Sequence, residues 1–257
     1  MTPRSRLTIA LLLPSVLFVA AALAGMAPRA FAGDPPAGPV ASAEAIKRLA
    51  SLVERLRSTD VEVKKKALAE AKSEQDPSLL THVKRLLTDA DGDVRLAAVD
   101  VLAARSADAA KRQASEALAA RIAALSGKPS GHVELLRILA VLHDLAQREA
   151  LKPLLDGIVV EIDLDELAGR LKAVAAIPTP EAIDEIIQFG SRGRRGLDRW
   201  RRLSTEAFNY ATGAGLGPDP DAWRAWWKDH EKGFDWKGAA LRRKEDGGGP
   251  GDRKRAK

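Results

Sequence analysis

Cysteine is absent from this chain of 257 residues, and its two methionines, Met1 and Met26, both lie near the start. Without a thiol the chain can form no disulfide, offers no thiolate ligand to a metal and has no cysteine nucleophile. It also lacks the cysteine that a bacterial lipid anchor requires. Side-chain packing alone must therefore hold the fold together, and an oxidising compartment is compatible with such a composition.

An excess of one sign of charge is also missing from the body of the chain. The formal charge of +6 includes three arginines and no acid in residues 1–32, and eight basic against three acidic residues in residues 237–257. Residues 33–236 carry 30 basic and 32 acidic residues and are nearly neutral. Because the positive excess lies at the two ends, it does not support nucleic-acid binding, and we expect no nucleic-acid partner.

The first 32 residues have the pattern of an export signal. Two arginines precede an apolar run from Leu7 to Ala24, and an A-x-A cleavage site ends at Ala32. We therefore predict a signal peptide over residues 1–32, cut after Ala32, and an exported protein that is periplasmic or secreted. The alternative is an uncleaved leader that anchors the chain, since this run of about 18 residues is close to the roughly 20 that span a bilayer.

The middle of the chain has helical periodicity. Residues 33–43, GDPPAGPVASA, are a predicted linker because proline and glycine prevent a packed element there. From residue 44 to about residue 190 the apolar residues recur at the spacing of one helix face, and sustained strand alternation is absent. Helix starts are predicted by the N-capping residues Asp60, Asp76, Asp163 and Thr179. The sequence therefore predicts an all-α fold.

The helical segments repeat at an offset of 31 or 32 residues. Residues 56–71 align with residues 87–102 at an offset of 31, and residues 141–155 align with residues 173–187 at an offset of 32. Apolar and small residues coincide in both alignments. This period accommodates two helices and two turns. One such hairpin cannot bury its own apolar face, whereas stacked hairpins can.

Two of these segments carry a family resemblance. DADGDVRLAAVDVLA and AIPTPEAIDEII resemble the short bacterial HEAT-like repeats of the PBS-lyase type. The resemblance covers roughly residues 50–105 and 135–190, whereas residues 106–130 depart from it through a long helix without the usual turn residues. It implies an α-solenoid of about four stacked HEAT-like hairpins over residues 44–190. An ordinary helical bundle without repeats is the alternative.

Aromatic residues make up only 4% of the chain, yet four of the five tryptophans lie between residues 219 and 236. Asp219 and Pro220 predict a helix start, after which three indoles fall on one face. We predict that this Trp-rich helix caps the last repeat, within an Arg/Trp-rich C-terminal segment over residues 191–236. The alternative is a carbohydrate- or cell-wall-binding platform, because aromatic faces stack on sugars. The four tryptophans are Trp223, Trp226, Trp227 and Trp236.

The ending YATGAGLGPDPDAWRAWW, residues 210–227, also resembles the C-terminal segment of exported bacterial HEAT-like proteins, with its Trp-x-x-Trp-Trp helix. The resemblance implies a shared way of ending the chain and no particular chemistry. Beyond it, residues 237–257 are rich in charge and glycine, and we expect a disordered basic tail there.

Arginine is concentrated between residues 189 and 203, where six arginines accompany a single acid. The glycines among them form no phosphate-binding loop, because the G-K-[ST] ending is missing. We predict that these arginines supply polar contacts to a partner, as an anion-binding patch, with a solvated linker as the alternative. They are Arg192, Arg194, Arg195, Arg199, Arg201 and Arg202.

The sequence offers no recognisable catalytic set. The four histidines are scattered, and the H-E-x-x-H and G-x-S-x-G motifs are absent. The acidic residues of DADGDVRLAAVD resemble the start of a calcium loop, but Val94 occupies the position of the required glycine, so an inter-repeat turn explains them better. Asp163, Asp165 and Glu166 are interpreted as a helix-capping cluster. We expect no bound metal and no cofactor.

These observations favour a binding protein over an enzyme. We expect a non-catalytic exported scaffold that engages a protein or peptide partner through its solenoid surface. Contact with a membrane is expected only through an uncleaved leader. A lyase-like activity, which the resemblance to HEAT-like relatives suggests as a third hypothesis, has no residues in this chain to support it.

Overall fold

The computed structural model describes residues 43–156, 158, 162–192 and 198–245. Within these ranges the chain is all-α, with twelve α-helices, three short 3₁₀ segments and no strand. The predicted signal peptide and most of the predicted linker lie outside them. The helices are α1 (Ala43–Leu56), α2 (Val61–Ala71), α3 (Ser78–Leu86), α4 (Gly92–Ala103), α5 (Asp108–Leu125), α6 (His132–Leu145), α7 (Leu151–Leu155), α8 (Leu164–Ala176), α9 (Pro180–Ser191), α10 (Asp198–Thr212), α11 (Pro220–His230) and α12 (Trp236–Glu245).

Side-chain caps fix where several of these helices begin. Each capping oxygen accepts backbone N–H groups that have no partner inside the first helical turn, and such a cap stabilises a helix by about 1 kcal/mol. Asp76 lies one residue before the cap position of α3 and accepts the N–H of Ser78 at 2.8 Å. The predicted caps of α2, α8, α9 and α11 are confirmed, and the capping residues are Asp60, Asp91, Asp163, Thr179 and Asp219.

The helices contact one another in a regular order. Each even-numbered helix contacts the next even-numbered one, from α2 to α12. Among the odd-numbered helices, α1 contacts α3, α3 contacts α5, α5 contacts α7, and α9 contacts α11. Consecutive helices also pair, as α1 with α2, α3 with α4, α5 with α6, α7 with α8 and α9 with α10. This packing continues past residue 190, because α10 contacts both α8 and α9.

Residues related by the repeat offsets have equivalent structural roles. At the offset of 31, Asp60 and Asp91 both cap a helix, and Ala67 and Ala98 are both completely buried. At the offset of 32, three pairs of apolar residues are buried on both members: Leu145 with Ile177, Ala150 with Ala182, and Leu154 with Ile186. The period found in the sequence therefore corresponds to a repeated pattern of burial.

Two helices depart from the usual length. The long helix expected within residues 106–130 is present as α5, with 18 residues. By contrast, α7 has only five residues and ends at Leu155, although the apolar spacing predicted a helix face that continues to Ile158. Because α7 is so short, a cavity of about 480 Å³ opens between it and α9.

Buried arginines hold successive helix pairs together. Nη2 of Arg105, on the residue after α4 and its cap, donates to the carbonyl oxygen of Ala71 at the end of α2, at 2.8 Å. Nη1 of Arg170, in α8, donates to the carbonyl oxygen of Leu154 in α7 at 2.9 Å, while its Nε donates to Glu166 at 2.9 Å. The last carbonyl groups of a helix lack intrahelical partners and carry partial negative charge, so a buried guanidinium satisfies both requirements.

The prediction of a disordered tail from residue 237 is wrong for its first part. Helix α12 extends to Glu245, and Ala239 on it is only 3% exposed. Nη1 of Arg243 donates to the carbonyl oxygen of Ala175 at 2.8 Å, and its guanidinium lies 5.4 Å from the ring centroid of Tyr210. The charged composition concealed these contacts, because they depend on one small side chain and one arginine. Residues 246–257 lie outside the described residues.

Candidate functional site

The arginine-rich segment joins the end of α9 to the start of α10. Arg192 is exposed at the C-cap of α9, and its Nη2 donates to Oε1 of Gln188 at 2.8 Å. In the first turns of α10, Arg199 and Arg202 are exposed and Arg201 is half-buried. The two remaining predicted contact residues, Arg194 and Arg195, lie outside the described residues.

These arginines differ from most others in how they are paired. Arg192, Arg199 and Arg201 have no carboxylate oxygen within 4.0 Å among the described residues, and Arg202 has only Glu206, at 3.9 Å. Elsewhere eight arginines form close ion pairs: Arg48 with Glu74, Arg55 with Glu70, Arg95 and Arg121 with Glu134, Arg137 with Asp100, Arg148 with Glu181, Arg170 with Glu166, and Arg224 with Asp221. The start of α10 therefore carries positive charge that the described part of the chain does not neutralise.

The structure does not bring all the predicted arginines into one cavity. Arg192 borders the cavity between α7 and α9, where charges of both signs line the wall. Arg201 borders a second cavity of about 470 Å³. The other residues that line this second cavity are Gly190, Ser191, Pro218, Asp219, Pro220, Asp221 and Arg224.

Arg224 is a further arginine at this surface, one that the sequence analysis did not single out. Its Nη1 donates to Asp221 at 2.6 Å and its Nη2 donates to Oγ of Ser191 at 3.2 Å, so the guanidinium is held across α11 and α9. No sequence signal places Arg224 near Arg201, because the two lie on different helices. Only the packing of α11 against α9 and α10 brings them to one cavity.

Two tryptophans of the C-terminal segment are buried. Trp223 has no exposed surface, and Trp227 is 3% exposed. The ring of Trp223 stacks on Phe208 with a centroid distance of 5.2 Å, and its Nε1 donates to the carbonyl oxygen of Gly217 at 2.7 Å. A Cβ atom on Gly190 would lie 2.5 Å from Cζ3 of Trp223, so glycine is required for this close approach of α9 and α11. These two ring faces are therefore inaccessible to a ligand.

The remaining two tryptophans are only partly buried and contact other aromatic rings. Trp226 stacks on His230 with a centroid distance of 4.1 Å and an interplanar angle of 11°. Trp236 lies 4.7 Å from Phe234 in an edge-to-face arrangement. The predicted ridge of indoles is thus divided, and one face of Trp226 is already occupied by an imidazole ring.

A polar cluster that the sequence analysis missed links α6 to α10. Nε2 of His143 lies 2.7 Å from the hydroxyl of Tyr210, and its Nδ1 lies 2.9 Å from Oδ1 of Asp144. Because an ionised carboxylate only accepts hydrogen bonds, the Nδ1 of a neutral His143 carries the proton and the Tyr210 hydroxyl donates to Nε2. The two residues are 67 positions apart, so local spacing could not reveal the pair.

Burial controls the protonation of this cluster. It lowers the pKa of His143, and the nearby charges of Lys172 and Arg243 act in the same direction, although Asp144 opposes them. Burial also raises the pKa of Tyr210. Near neutral pH the imidazole is therefore neutral and the phenol keeps its proton. We interpret the cluster as a tie between helices, since Arg243 of α12 covers the face of Tyr210.

The acidic groups weighed in the sequence have structural partners. Asp89 pairs with Lys64 at 2.6 Å, and this contact is the main cause of its lowered pKa. Asp91 caps α4, Asp93 lies 3.7 Å from Lys65, and Asp100 pairs with Arg137. Ligand atoms of His132, Asp163 and Asp165 all lie within 4.8 Å of one another. One Asp163 oxygen already accepts two N–H groups at the start of α8, so capping accounts for its position.

No protein-family model matches this chain, and none of the curated proteins is significantly similar to it in sequence. Among the described residues, no helix combines the length and the apolar character needed to cross a bilayer. Inferences about function therefore depend on the chain itself.

Proposed function

We propose that this chain is a non-catalytic, exported scaffold with a HEAT-like α-solenoid fold, and that it binds an acidic protein or peptide partner. The fold part of the proposal is supported by the contact order of the helices, in which even-numbered helices contact the next even-numbered ones from α2 to α12. Equal burial at positions 31 or 32 residues apart also supports it. Stacked hairpins of this kind present extended surfaces that suit protein binding.

The observation that carries the binding proposal is the lack of carboxylate partners around Arg192, Arg199 and Arg201. An exposed arginine cluster without nearby acids produces a local positive potential that attracts acidic surfaces and speeds their association. Arginine also presents a planar fork of donors that matches a carboxylate in geometry. An acidic protein segment therefore complements this surface in both charge and shape.

Binding of a labelled glutamate-rich peptide to the mature protein tests the proposal. A variant with Arg199, Arg201 and Arg202 replaced by alanine should bind the peptide at least about tenfold more weakly, because each lost contact with a charged group contributes a substantial part of the affinity. Binding by the wild type should also weaken as salt is raised from low to physiological concentration, since exposed charges are screened over about 8 Å there.

A matched control removes the same number of charges elsewhere. Arg57, Arg85 and Arg112 are also exposed and have no carboxylate within 4.0 Å among the described residues, but they precede α6 in the chain. Replacing these three by alanine lowers the net charge equally and should leave peptide binding within about twofold of the wild type. Equal losses in the two triple variants would mean that net charge alone drives binding, and the proposed site would be wrong.

A further inference from the structure

The cavity beside Arg201 contains one charged group whose partner is missing. Four charged residues line this cavity, namely Arg201, Asp219, Asp221 and Arg224. Asp219 accepts the N–H of Asp221 as the cap of α11, and Asp221 in turn pairs with Arg224 at 2.6 Å. Arg201 has no carboxylate within 4.0 Å among the described residues, and its Nε is buried without a hydrogen-bond acceptor.

An unpaired buried donor on a cationic group is unfavourable, because it has lost its water without gaining an acceptor. Elsewhere in the described chain, buried or half-buried guanidinium groups have such acceptors: Nε of Arg95 and of Arg121 both donate to Glu134, at 2.7 and 2.8 Å. The environment of Arg201 therefore lacks the acceptor that comparable arginines in this chain possess.

We propose that this cavity receives a single carboxylate side chain, Asp or Glu, of the acidic partner, which Arg201 binds through two parallel hydrogen bonds. This inference rests on the proposed function and assigns one residue as its anchor. Arg224 lines the same cavity and is held by Asp221 and Ser191, so it adds positive charge at a fixed position. The outer arginines, Arg199 and Arg202, attract the partner without a defined geometry.

The anchor and the outer arginines should respond differently to lysine. Lysine keeps the positive charge but loses the planar fork, so a two-bond contact is weakened while a general attraction is preserved. We expect Arg201→Lys to weaken binding of the glutamate-rich peptide about tenfold, which corresponds to losing one hydrogen bond between charged groups. Arg199→Lys and Arg202→Lys should stay within about twofold of the wild type, because only the position of their charge changes.

The experiment is a fluorescence-anisotropy titration of the mature chain, with thermal unfolding of each variant to show that it is folded. A peptide in which every glutamate is replaced by glutamine completes the set, and it should bind neither the wild type nor Arg201→Lys. If Arg201→Lys binds the glutamate peptide as tightly as the wild type while the triple alanine variant does not, the anchor is wrong and the proposed function stands. If the triple alanine variant also binds normally, both are wrong. Tight binding of the glutamine peptide would likewise exclude a carboxylate anchor.

Discussion

Replacing Trp223 by alanine tests whether the C-terminal segment is held by packing on the preceding helices. The side chain is completely buried, stacks on Phe208 and donates a hydrogen bond to Gly217 at 2.7 Å. It also lies against Gly190, where a Cβ would be only 2.5 Å from the indole. The substitution removes all these contacts and leaves a cavity between α9, α10 and α11.

The expected loss of stability follows from the buried area. An aromatic side chain of this kind buries about 150–250 Å², which at about 25 cal/mol per Å² gives roughly 4–6 kcal/mol. Truncations of buried Phe or Trp to alanine usually cost about 3–5 kcal/mol. We therefore expect Trp223→Ala to lower the free energy of unfolding by about 4 kcal/mol, a large share of the roughly 5–15 kcal/mol typical of a protein.

Urea denaturation followed by circular dichroism at 222 nm measures this loss without depending on tryptophan fluorescence. Trp226→Ala is the matched control, because Trp226 lies one turn further along α11 and is only partly buried. Its cost should be about 1–2 kcal/mol, since less of its area leaves water. A loss below about 1 kcal/mol for Trp223→Ala, or one no larger than for Trp226→Ala, would refute the packing argument.

Three further changes should have measurable effects on stability. The urea midpoint should fall between pH 7.5 and pH 5.5, and His143→Gln should reduce that fall, because burial lowers the pKa of His143 in the folded chain. Ala146→Gly should raise the free energy of unfolding by up to about 1 kcal/mol, measured in urea, since Ala146 has a φ of 50° at the end of α6. Glu134→Gln should lower the thermal midpoint and cost about 3 kcal/mol, because the carboxylate is 5% exposed between Arg95 and Arg121.

The sign of the pH effect follows from which state binds the proton more readily. The folded pKa of His143 lies below its ordinary value near 6.5, so the unfolded chain takes up a proton first as the pH falls. Its contribution is present above that value, is lost progressively as the pH falls toward the folded pKa, and does not fall further below it. The pKa of His82 is also lowered by burial, so a small dependence should remain in His143→Gln. An unchanged pH dependence would contradict the assignment to His143.

Outcomes that contradict the other two predictions are equally definite. A less stable Ala146→Gly variant would mean that the greater freedom of glycine in the unfolded chain exceeds the strain relieved at this position. An unaffected Glu134→Gln variant would mean that the amide oxygen accepts from Arg95 and Arg121 as well as the carboxylate does. The lowered pKa of Glu134 argues against that, because burial opposes its ionisation and the hydrogen bonds from both arginines outweigh burial.

Local chemistry made much of the helical framework predictable. Capping by Asp60, Asp163 and Thr179 depends on a side chain and the next two or three residues, so spacing in the sequence was sufficient. The repeat offsets were visible because each hairpin buries the same positions against its neighbours. By contrast, the structure of α12 depends on contacts from Arg243 to Ala175 and Tyr210, both distant in sequence, and its composition indicated disorder.

The candidate site was predictable only in part, for the same reason. The concentration of arginines around α10 was apparent from composition, but composition could not show which of them lack a carboxylate. Arg202 and Arg201 are neighbours in sequence, yet one lies near Glu206 and the other borders the cavity with Arg224. Nor could spacing reveal the contact between His143 and Tyr210. Such pairings depend on how helices pack, which one sequence does not specify locally.

Site-specific photo-crosslinking in cells that export the chain tests the central claim most directly. A photoreactive amino acid at position 202, beside the proposed anchor, should yield a covalent product with an acidic protein, and the product should be lost when Arg199 and Arg201 are alanine. The same group at position 57 should yield no such product. Equal products from both positions, or a product at position 202 that persists without those arginines, would contradict a partner-binding surface at the start of α10.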